Sequence, residues 1–280
     1  MRNLMLELDS TGVLMKMPRN AFKAALAKGE PQYGIWAGFA TGYGAEITAS
    51  FGYDWMLIDG EHAPNTVPSI LAQLQAVAPY STAPIVRAVS HDPVLIKQLL
   101  DIGTQTLMIP MVETAAQARA LVQATRYPPH GIRGVGGGLT RATRWDGVPD
   151  YINTAHEELC LIVQVESRAG VDNVAEIAAV EGVDAVFIGP ADLSTGLGHI
   201  GNPSHPEVQE KIRHAIDATL AAGKVSGILA PAEEDARRYQ SWGCQFIAVA
   251  IDISLMRQAA LNNLALYRDT TEPRPASRTY

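Results

Sequence analysis

Two cysteines in 280 residues, Cys160 and Cys244, are too few for a disulfide framework or for a zinc site built on paired thiolates. Each opens an apolar run, so both read as buried thiols, and a reducing cytoplasm is the expected setting. Charge is scarce as well. Charged residues make up 18% of the chain, the formal charge is -7, and no Lys/Arg cluster exists to neutralise a phosphate backbone, which excludes nucleic acid as a partner. Long hydrophobic runs are missing: none approaches the ~18 apolar residues of a membrane span. The stretch from Met1 to Met17 carries Glu7 and Asp9 and has no apolar segment followed by a small-residue cleavage site, so it is not a signal peptide.

What the chain has in quantity is apolar side chains, 47% of the total, enough for one large core. Short apolar runs recur, each followed by a helical pattern, which predicts parallel strands with crossover helices. Eight runs fit, at Gly34–Phe39, Trp55–Gly60, Ile85–Ala88, Leu107–Val112, Leu161–Glu166, Ala185–Gly189, Gly227–Leu229 and Phe246–Ile251. Helices are expected at Gly44–Ser50, Val67–Val77, Pro93–Asp101, Ala115–Thr125, Asn173–Ala179, Pro206–Ala222, Glu233–Trp242 and Ser254–Tyr267, with Asp92, Thr114 and Ser254 as caps. Eight such pairs close a (β/α)8 TIM barrel of about 250 residues, whereas an open doubly wound sheet usually stops near six strands. The expected division is therefore an extension over 1–20, a barrel over 21–268 and a disordered proline-containing tail over 269–280. Met15 and Met17 are candidate alternative starts. The longest interruption, Tyr127 to Tyr151, contains Pro128–Pro129, three consecutive glycines and Arg133, and is expected to form a flexible lid.

In such barrels the reacting groups stand at the C-terminal ends of the strands. Those ends carry Asp59-Gly60-Glu61-His62, then Arg87, then Gln164-Val165-Glu166, then Gly189-Pro190-Ala191-Asp192. Gln164 and Glu166 are two apart, so both face the barrel mouth. Glu166 and Asp192 end neighbouring strands at matching height, and two carboxylates converging there suit a hard cation such as Mg2+ or Mn2+. Singly, each could instead cap a helix or form a salt bridge. His62 is placed to move protons near neutral pH, and Arg87 to hold a carboxylate or developing oxyanion, or else to pair with Glu61 or Asp59. The other six histidines, His91, His130, His156, His199, His205 and His214, fall on loops or helices without metal-binding spacing and are expected at the surface. No lysine falls at a strand end, which leaves a Schiff-base mechanism without its nucleophile. The glycines of 131–138 miss the dinucleotide-binding spacing, so no nucleotide is expected.

The segments Trp55-Met-Leu-Ile-Asp-Gly-Glu-His-Ala-Pro-Asn65, Lys97-Gln-Leu-Leu-Asp-Ile-Gly103, Gly131-Ile-Arg-Gly-Val-Gly136, Gln164-Val-Glu166 and Val186-Phe-Ile-Gly-Pro-Ala-Asp-Leu-Ser194 closely resemble the HpcH/HpaI aldolase family, nearest to its 4-hydroxy-2-oxoheptanedioate aldolases. The resemblance runs from about Ala21 to Tyr267. It implies a barrel of the phosphoenolpyruvate/pyruvate-binding type and a class II pyruvate aldolase, acting in aromatic-compound catabolism. The divalent cation (Mg2+, Mn2+ or Co2+), held at Glu166 and Asp192, would chelate pyruvate. By the same resemblance the proton acceptor falls on His62, the arginine that steadies the transition state on Arg87, substrate contacts on Gln164, Ala191 and Asp192, and the acid that raises the histidine's basicity on Asp101. It further implies a homo-oligomer, commonly a hexamer with an exchanged C-terminal helix. Asp101 ends a helix and belongs at the bottom of its own barrel, so a neighbouring subunit is its expected route to His62. Sibling reactions are an aldolase for 2-keto-3-deoxy sugar acids or hydroxypyruvate, an oxaloacetate decarboxylase, or a macrophomate-synthase-like enzyme. A catalytically silent metal-binding assembly protein is the non-enzymatic alternative.

Overall fold

Residues 7–9 and 12–268 are described by the computed structural model. A short antiparallel pair, β1 (Glu7–Asp9) with β2 (Gly12–Leu14), precedes eight parallel strands: β3 (Gln32–Ala37), β4 (Trp55–Asp59), β5 (Ala83–Arg87), β6 (Thr106–Ile109), β7 (Cys160–Val165), β8 (Ala185–Ile188), β9 (Val225–Leu229) and β10 (Phe246–Ile251). These eight are hydrogen-bonded in chain order, and β10 closes on β3 to complete the barrel. The helices are α1 (Ala21–Leu26), α2 (Gly42–Ala49), α3 (Val67–Val77), α4 (Pro93–Asp101), α5 (Ala115–Thr125), α6 (Tyr151–Thr154), α7 (Arg168–Asp172), α8 (Val174–Ala178), α9 (Pro190–Gly196), α10 (Pro206–Ala221), α11 (Glu233–Ser241) and α12 (Asp252–Ala265). The tail expected to be disordered, 269–280, lies outside the described residues, as do 1–6, 10 and 11 of the extension.

Strand parity builds the two layers of the core. Because side chains alternate across a strand, Met56, Ile58, Val86, Leu107, Ile109, Val163, Val186 and Ile188 point outward into the layer beneath the helices. Their neighbours Trp55, Leu57, Ile85, Met108, Ile162, Phe187 and Phe246 fill the barrel interior, and α1 adds Phe22 and Leu26 from below. Four aromatic rings meet there: Phe22 lies 6.1 Å from Trp55 and 5.5 Å from Phe246, and Phe187 lies 5.7 Å from Phe246. Gly34 is required by this plug, since a Cβ there would sit 2.1 Å from the Trp55 ring. Asn20, buried just before α1, caps that helix and bonds the Thr106 hydroxyl and the Gln105 and Glu158 carbonyls, which ties the plug helix to the barrel floor.

Helix starts follow the local chemistry where it is explicit. Thr114 closes a capping box with Gln117, and Asp92 accepts from the Val94 amide ahead of Pro93. Ser254 is not a cap. The last helix begins at Asp252, whose buried carboxylate accepts from the Gly38, Phe39 and Ile253 amides and so ties α12 to the end of β3.

The segment from Tyr127 to Tyr151 is not a lid over the mouth. It connects α5 to β7 and therefore lies at the N-terminal end of the barrel, opposite the strand ends that carry the polar residues. It is also packed. Arg133 is fully buried, bonds Asp101 at 3.0 Å and lies 4.5 Å from the Tyr127 ring centroid. Tyr127, Ala142, Val148, Tyr151 and Ala155 form a satellite core that takes in Met15 and Met17.

Candidate active site

The parity that fills the barrel with aromatic rings also delivers its polar end. Two residues beyond inward-facing Leu57, Ile85 and Ile162 come Asp59, Arg87 and Gln164, and Glu166 follows Gln164 by two; all four are buried. They open into a cavity of about 480 Å3 at the C-terminal ends of the strands, lined also by Trp36, His62, Gly189, Ala191 and Asp192. The described residues thus bring His62, Arg87, Gln164, Ala191, Asp192 and Glu166 to one cavity. Asp101 is not among its lining residues.

Arg87 is the most constrained of these groups. Its Nε and Nη2 donate to the two Asp59 oxygens at 2.8 and 2.6 Å, and its Nη1 lies 2.8 Å from Glu61 Oε2 without the alignment of a hydrogen bond. The Trp36 ring stacks 4.8 Å from the guanidinium carbon, and the same indole donates to Asp59 at 3.1 Å. Burial alone would lower the Arg87 pKa, but Asp59 and Glu61 outweigh it and hold the group above its usual range. Asp59 mirrors this: burial pushes its carboxyl up, and the Arg87 bonds, with the Glu61 amide and Trp36, bring it below the ordinary value. Both pairings that the sequence allowed for Arg87, with Asp59 and with Glu61, are therefore present. A guanidinium carries five N–H donors, so an N–H on each Nη stays available to the cavity.

Glu166 is held differently. Its Oε1 accepts from the Met111 amide at 2.9 Å and its Oε2 from Gln164 Nε2 at 2.5 Å. Met111 adopts the left-handed conformation, φ 55°, which aims that amide inward; such a conformation is costly for a non-glycine residue and persists where its surroundings impose it. Gly189 lets the carboxylate lie against β8, because a Cβ there would be 2.3 Å from Glu166 Oε2. Burial raises the Glu166 pKa to about 7; the Met111 amide opposes this, whereas Asp192 and Glu61 add to it. Asp192 is in the first turn of α9, beyond the end of β8, rather than on the strand itself. Ala191 precedes it, in a turn whose amides lack intrahelical partners and have no side-chain cap.

This end of the barrel fits a cation. Asp59, Glu61 and Glu166 surround one guanidinium, burial and the neighbouring carboxylates Asp192 and Glu61 work against ionisation of Glu166, and Gln164 Oε1 is buried with no hydrogen-bond partner. The oxygen-only donor set suits a hard divalent ion. His62 is 65% exposed on the loop after β4, with Nε2 3.8 Å from Glu61 Oε2, so it overhangs the cavity rather than being fixed within it. Among the described residues no lysine lines the cavity.

Asp101 sits at the C-terminal end of α4, at the opposite end of its own barrel, with Oδ1 paired to Arg133. His199 and His205, expected at the surface, are half-buried. Their rings stack 3.5 Å apart, His199 Nε2 meets Glu207 at 2.7 Å and His205 caps α10. With Glu207 they form the described three-residue group of metal-ligand type, but their rings are only 15° from parallel, so the in-plane lone pairs do not converge on one ion. Asp59 is expected from the sequence only as a possible partner of Arg87, and Trp36 is not expected at the site, although inward parity marks both. For the Met111 amide no sequence signal exists, because methionine is not a residue that announces a left-handed turn.

The family model for HpcH/HpaI aldolase/citrate lyase matches residues 32–259. The chain is 74% identical to the hydroxypyruvate/pyruvate aldolase of Delftia acidovorans over 95% of its own length and 100% of that protein's. It is 56% identical to the 4-hydroxy-2-oxo-heptane-1,7-dioate aldolase of Klebsiella pneumoniae, covering 86% and 91% of the two chains. Among solved structures, an HpcH/HpaI aldolase/citrate lyase family protein from Burkholderia cenocepacia superposes with a TM-score of 0.85 at 40% identity, over 89% of this chain and all of that one.

Proposed function

The chain belongs to the HpcH/HpaI aldolase/citrate lyase family, and on that premise we propose that it is a carbon–carbon lyase which cleaves 4-hydroxy-2-oxo acids reversibly to pyruvate and an aldehyde. The observation that carries this is the buried end of the barrel, where Glu166, just beyond β7, and Asp192 on α9 line one cavity with a guanidinium already oriented by Asp59. A divalent cation held by Glu166 and Asp192, of the Mg2+, Mn2+ or Co2+ class, supplies Lewis-acid polarisation of the keto group when bound.

The protein's own groups perform the rest. Arg87 presents its remaining N–H donors to the keto oxygen as negative charge develops there, and the Asp59 clamp keeps the fork from turning away. The first-turn amides of α9, Ala191 among them, donate to the bound oxo acid, and Gln164, whose Nε2 holds Glu166, lines the cavity beside it. In the cleavage direction His62 takes the proton of the 4-hydroxyl, the C3–C4 bond breaks, and its electrons enter the C2–C3 enolate of pyruvate. Protonation at C3 releases pyruvate. Addition is the reverse, ending with His62 returning a proton to the new alkoxide.

Asp101 supports His62 from the neighbouring subunit of a homo-oligomer, a hexamer by family likeness. Two features favour an assembly: Asp101 lies at the far end of its own barrel, and Tyr43, Ile47, Phe51, Leu255 and Met256 expose an apolar groove between α2 and α12. The two buried free thiols suit a cytoplasmic setting, and no helix among the described residues is long and apolar enough to cross a membrane. A second nucleophile, hydroxypyruvate, is favoured by the name of the 74% identical relative.

Two experiments test these assignments. Incubation with a 4-hydroxy-2-oxo acid at fixed Mn2+, and again after exhaustive chelation, is expected to yield pyruvate only in the first case; cleavage surviving chelation rejects the cation's role. Co-expression of His62→Ala and Asp101→Asn chains is expected to recover activity that neither variant has alone, since mixed oligomers contain sites with both groups intact. No recovery places Asp101 outside the partner's site.

A further inference from the structure

The cavity has two unlike sides, and their division follows strand order. Every ionisable group that lines it comes from the half of the barrel running from β4 through β5 and β7 to β8 and α9: Asp59, His62, Arg87, Glu166 and Asp192. The other half, built by β9, β10, β3 and the first turn of α12, contributes Leu229, Ile251, Ile253, Ser254, Trp36 and Gly38 to the same lining, with no charged group. The oxo-acid end of the substrate belongs with the first half under the function proposed above, so the second half is where the aldehyde's chain must lie.

Among the described residues that side offers no cation to a second carboxylate. The one arginine in the lining, Arg87, is held by Asp59 and stacked on Trp36 in the opposite half, with its remaining N–H donors given to the keto oxygen, and no described lysine reaches the lining. Taken together, Asp59, Glu61, Glu166 and Asp192 outnumber Arg87; a divalent cation still leaves one net negative charge, and the carboxylate of pyruvate adds another. An aldehyde carrying its own carboxylate would bring that charge against an apolar wall, without a hydrogen-bonded cation to offset its lost hydration. An uncharged aldehyde meets no such opposition, and the Ser254 hydroxyl stands on that wall to accept or donate a single hydrogen bond.

We infer that the acceptor subsite selects uncharged aldehydes and discriminates against aldehydes with a terminal carboxylate. The inference separates the two named activities among the relatives. Cleavage of a 4-hydroxy-2-oxo-heptane-1,7-dioate releases a four-carbon aldehyde that keeps a carboxylate, and the described lining of this chain's acceptor side has no cation to receive it. A short aliphatic or hydroxylated aldehyde is the class the wall fits.

The test uses the full-length, cation-loaded enzyme with pyruvate as common nucleophile and a matched pair of acceptors, butanal and 4-oxobutanoate. The expected kcat/KM is higher for butanal by roughly tenfold or more, as a like-charge penalty in a partly desolvated site allows. Ser254→Arg places a cation on the neutral wall and is expected to narrow that ratio about tenfold, mainly through a lower KM for 4-oxobutanoate. Equal or reversed preference in the wild type, or a ratio unmoved by Ser254→Arg, overturns the inference. Deuterium exchange at C3 of pyruvate without any aldehyde keeps the two levels apart. Absent exchange rejects the enolate function itself, whereas normal exchange with preferred use of 4-oxobutanoate rejects only the acceptor assignment.

Discussion

The two ends of the barrel interior are built from the same strands and the same parity, yet they do opposite things. At the lower end Phe22, Trp55 and Phe246 pack into an aromatic plug, and Phe187 lies between it and the cavity. Two residues beyond inward-facing Leu57, Ile85 and Ile162, the inward positions become Asp59, Arg87 and Gln164, with Glu166 two further on. Burying aromatic surface stabilises the fold, while burying carboxylates opposes it unless partners offset the desolvation. The upper end tolerates that cost because Arg87 satisfies Asp59 and two donors satisfy Glu166. Substitutions should therefore separate cleanly, costing activity at one end and stability at the other.

The largest effect is expected from Glu166→Gln. Losing a cation ligand removes several kcal/mol of transition-state stabilisation, which at about 1.4 kcal/mol per tenfold is roughly 10²–10⁴ in aldol cleavage rate. The melting temperature of the metal-free variant should not fall, as calorimetry can establish; a large drop would make Glu166 part of the scaffold. Arg87→Lys comes next, at roughly 10²–10³ in kcat, because a single ammonium cannot hold Asp59 through two bonds and also present a donor to the keto oxygen. Near-normal kcat would reduce Arg87 to a structural partner of Asp59. Trp55→Ala should behave in the opposite sense, destabilising by about 3–5 kcal/mol in denaturant titrations, with any protein that remains folded keeping its cation dependence.

The smallest effect is a pH dependence. Burial raises the Glu166 pKa in the fold to about 7, above the ordinary carboxylate value of 4.5. A raised carboxyl pKa means that the native state holds the proton longer than the unfolded chain, so this group's contribution declines as pH climbs from about 4.5 to 7. Metal-free wild type should lose stability across that window relative to Glu166→Gln. Parallel curves for the two proteins would show that burial of Glu166 is relieved some other way.

Much of this was legible in the sequence because parity and strand-end position are local rules. All eight barrel strands lie at the predicted runs, and α3, α4 and α5 have the bounds read from their caps and periodicity. The short helices α1, α6, α7 and α9 escaped, since four to seven residues carry too little periodicity, and Pro190 opens α9 inside a segment that reads as a strand end. The placement of the 127–151 segment was readable in principle. It follows a helix and precedes a strand, which assigns it to the barrel floor, but its glycines and arginines suggest a lid when composition is weighed over topology. What no local rule supplies is the Met111 amide aimed at Glu166, or Arg87 meeting Asp59 and Glu61 at once. Those depend on contacts between strands.

The central claim, that the polar end of the barrel generates a pyruvate enolate, is tested most directly by deuterium incorporation at C3 of pyruvate in D2O, followed by NMR with no aldehyde present. Wild-type enzyme with Mn2+ is expected to exchange readily, while chelated wild type and Glu166→Gln with Mn2+ exchange no faster than buffer. Exchange that survives both chelation and Glu166→Gln would contradict the account.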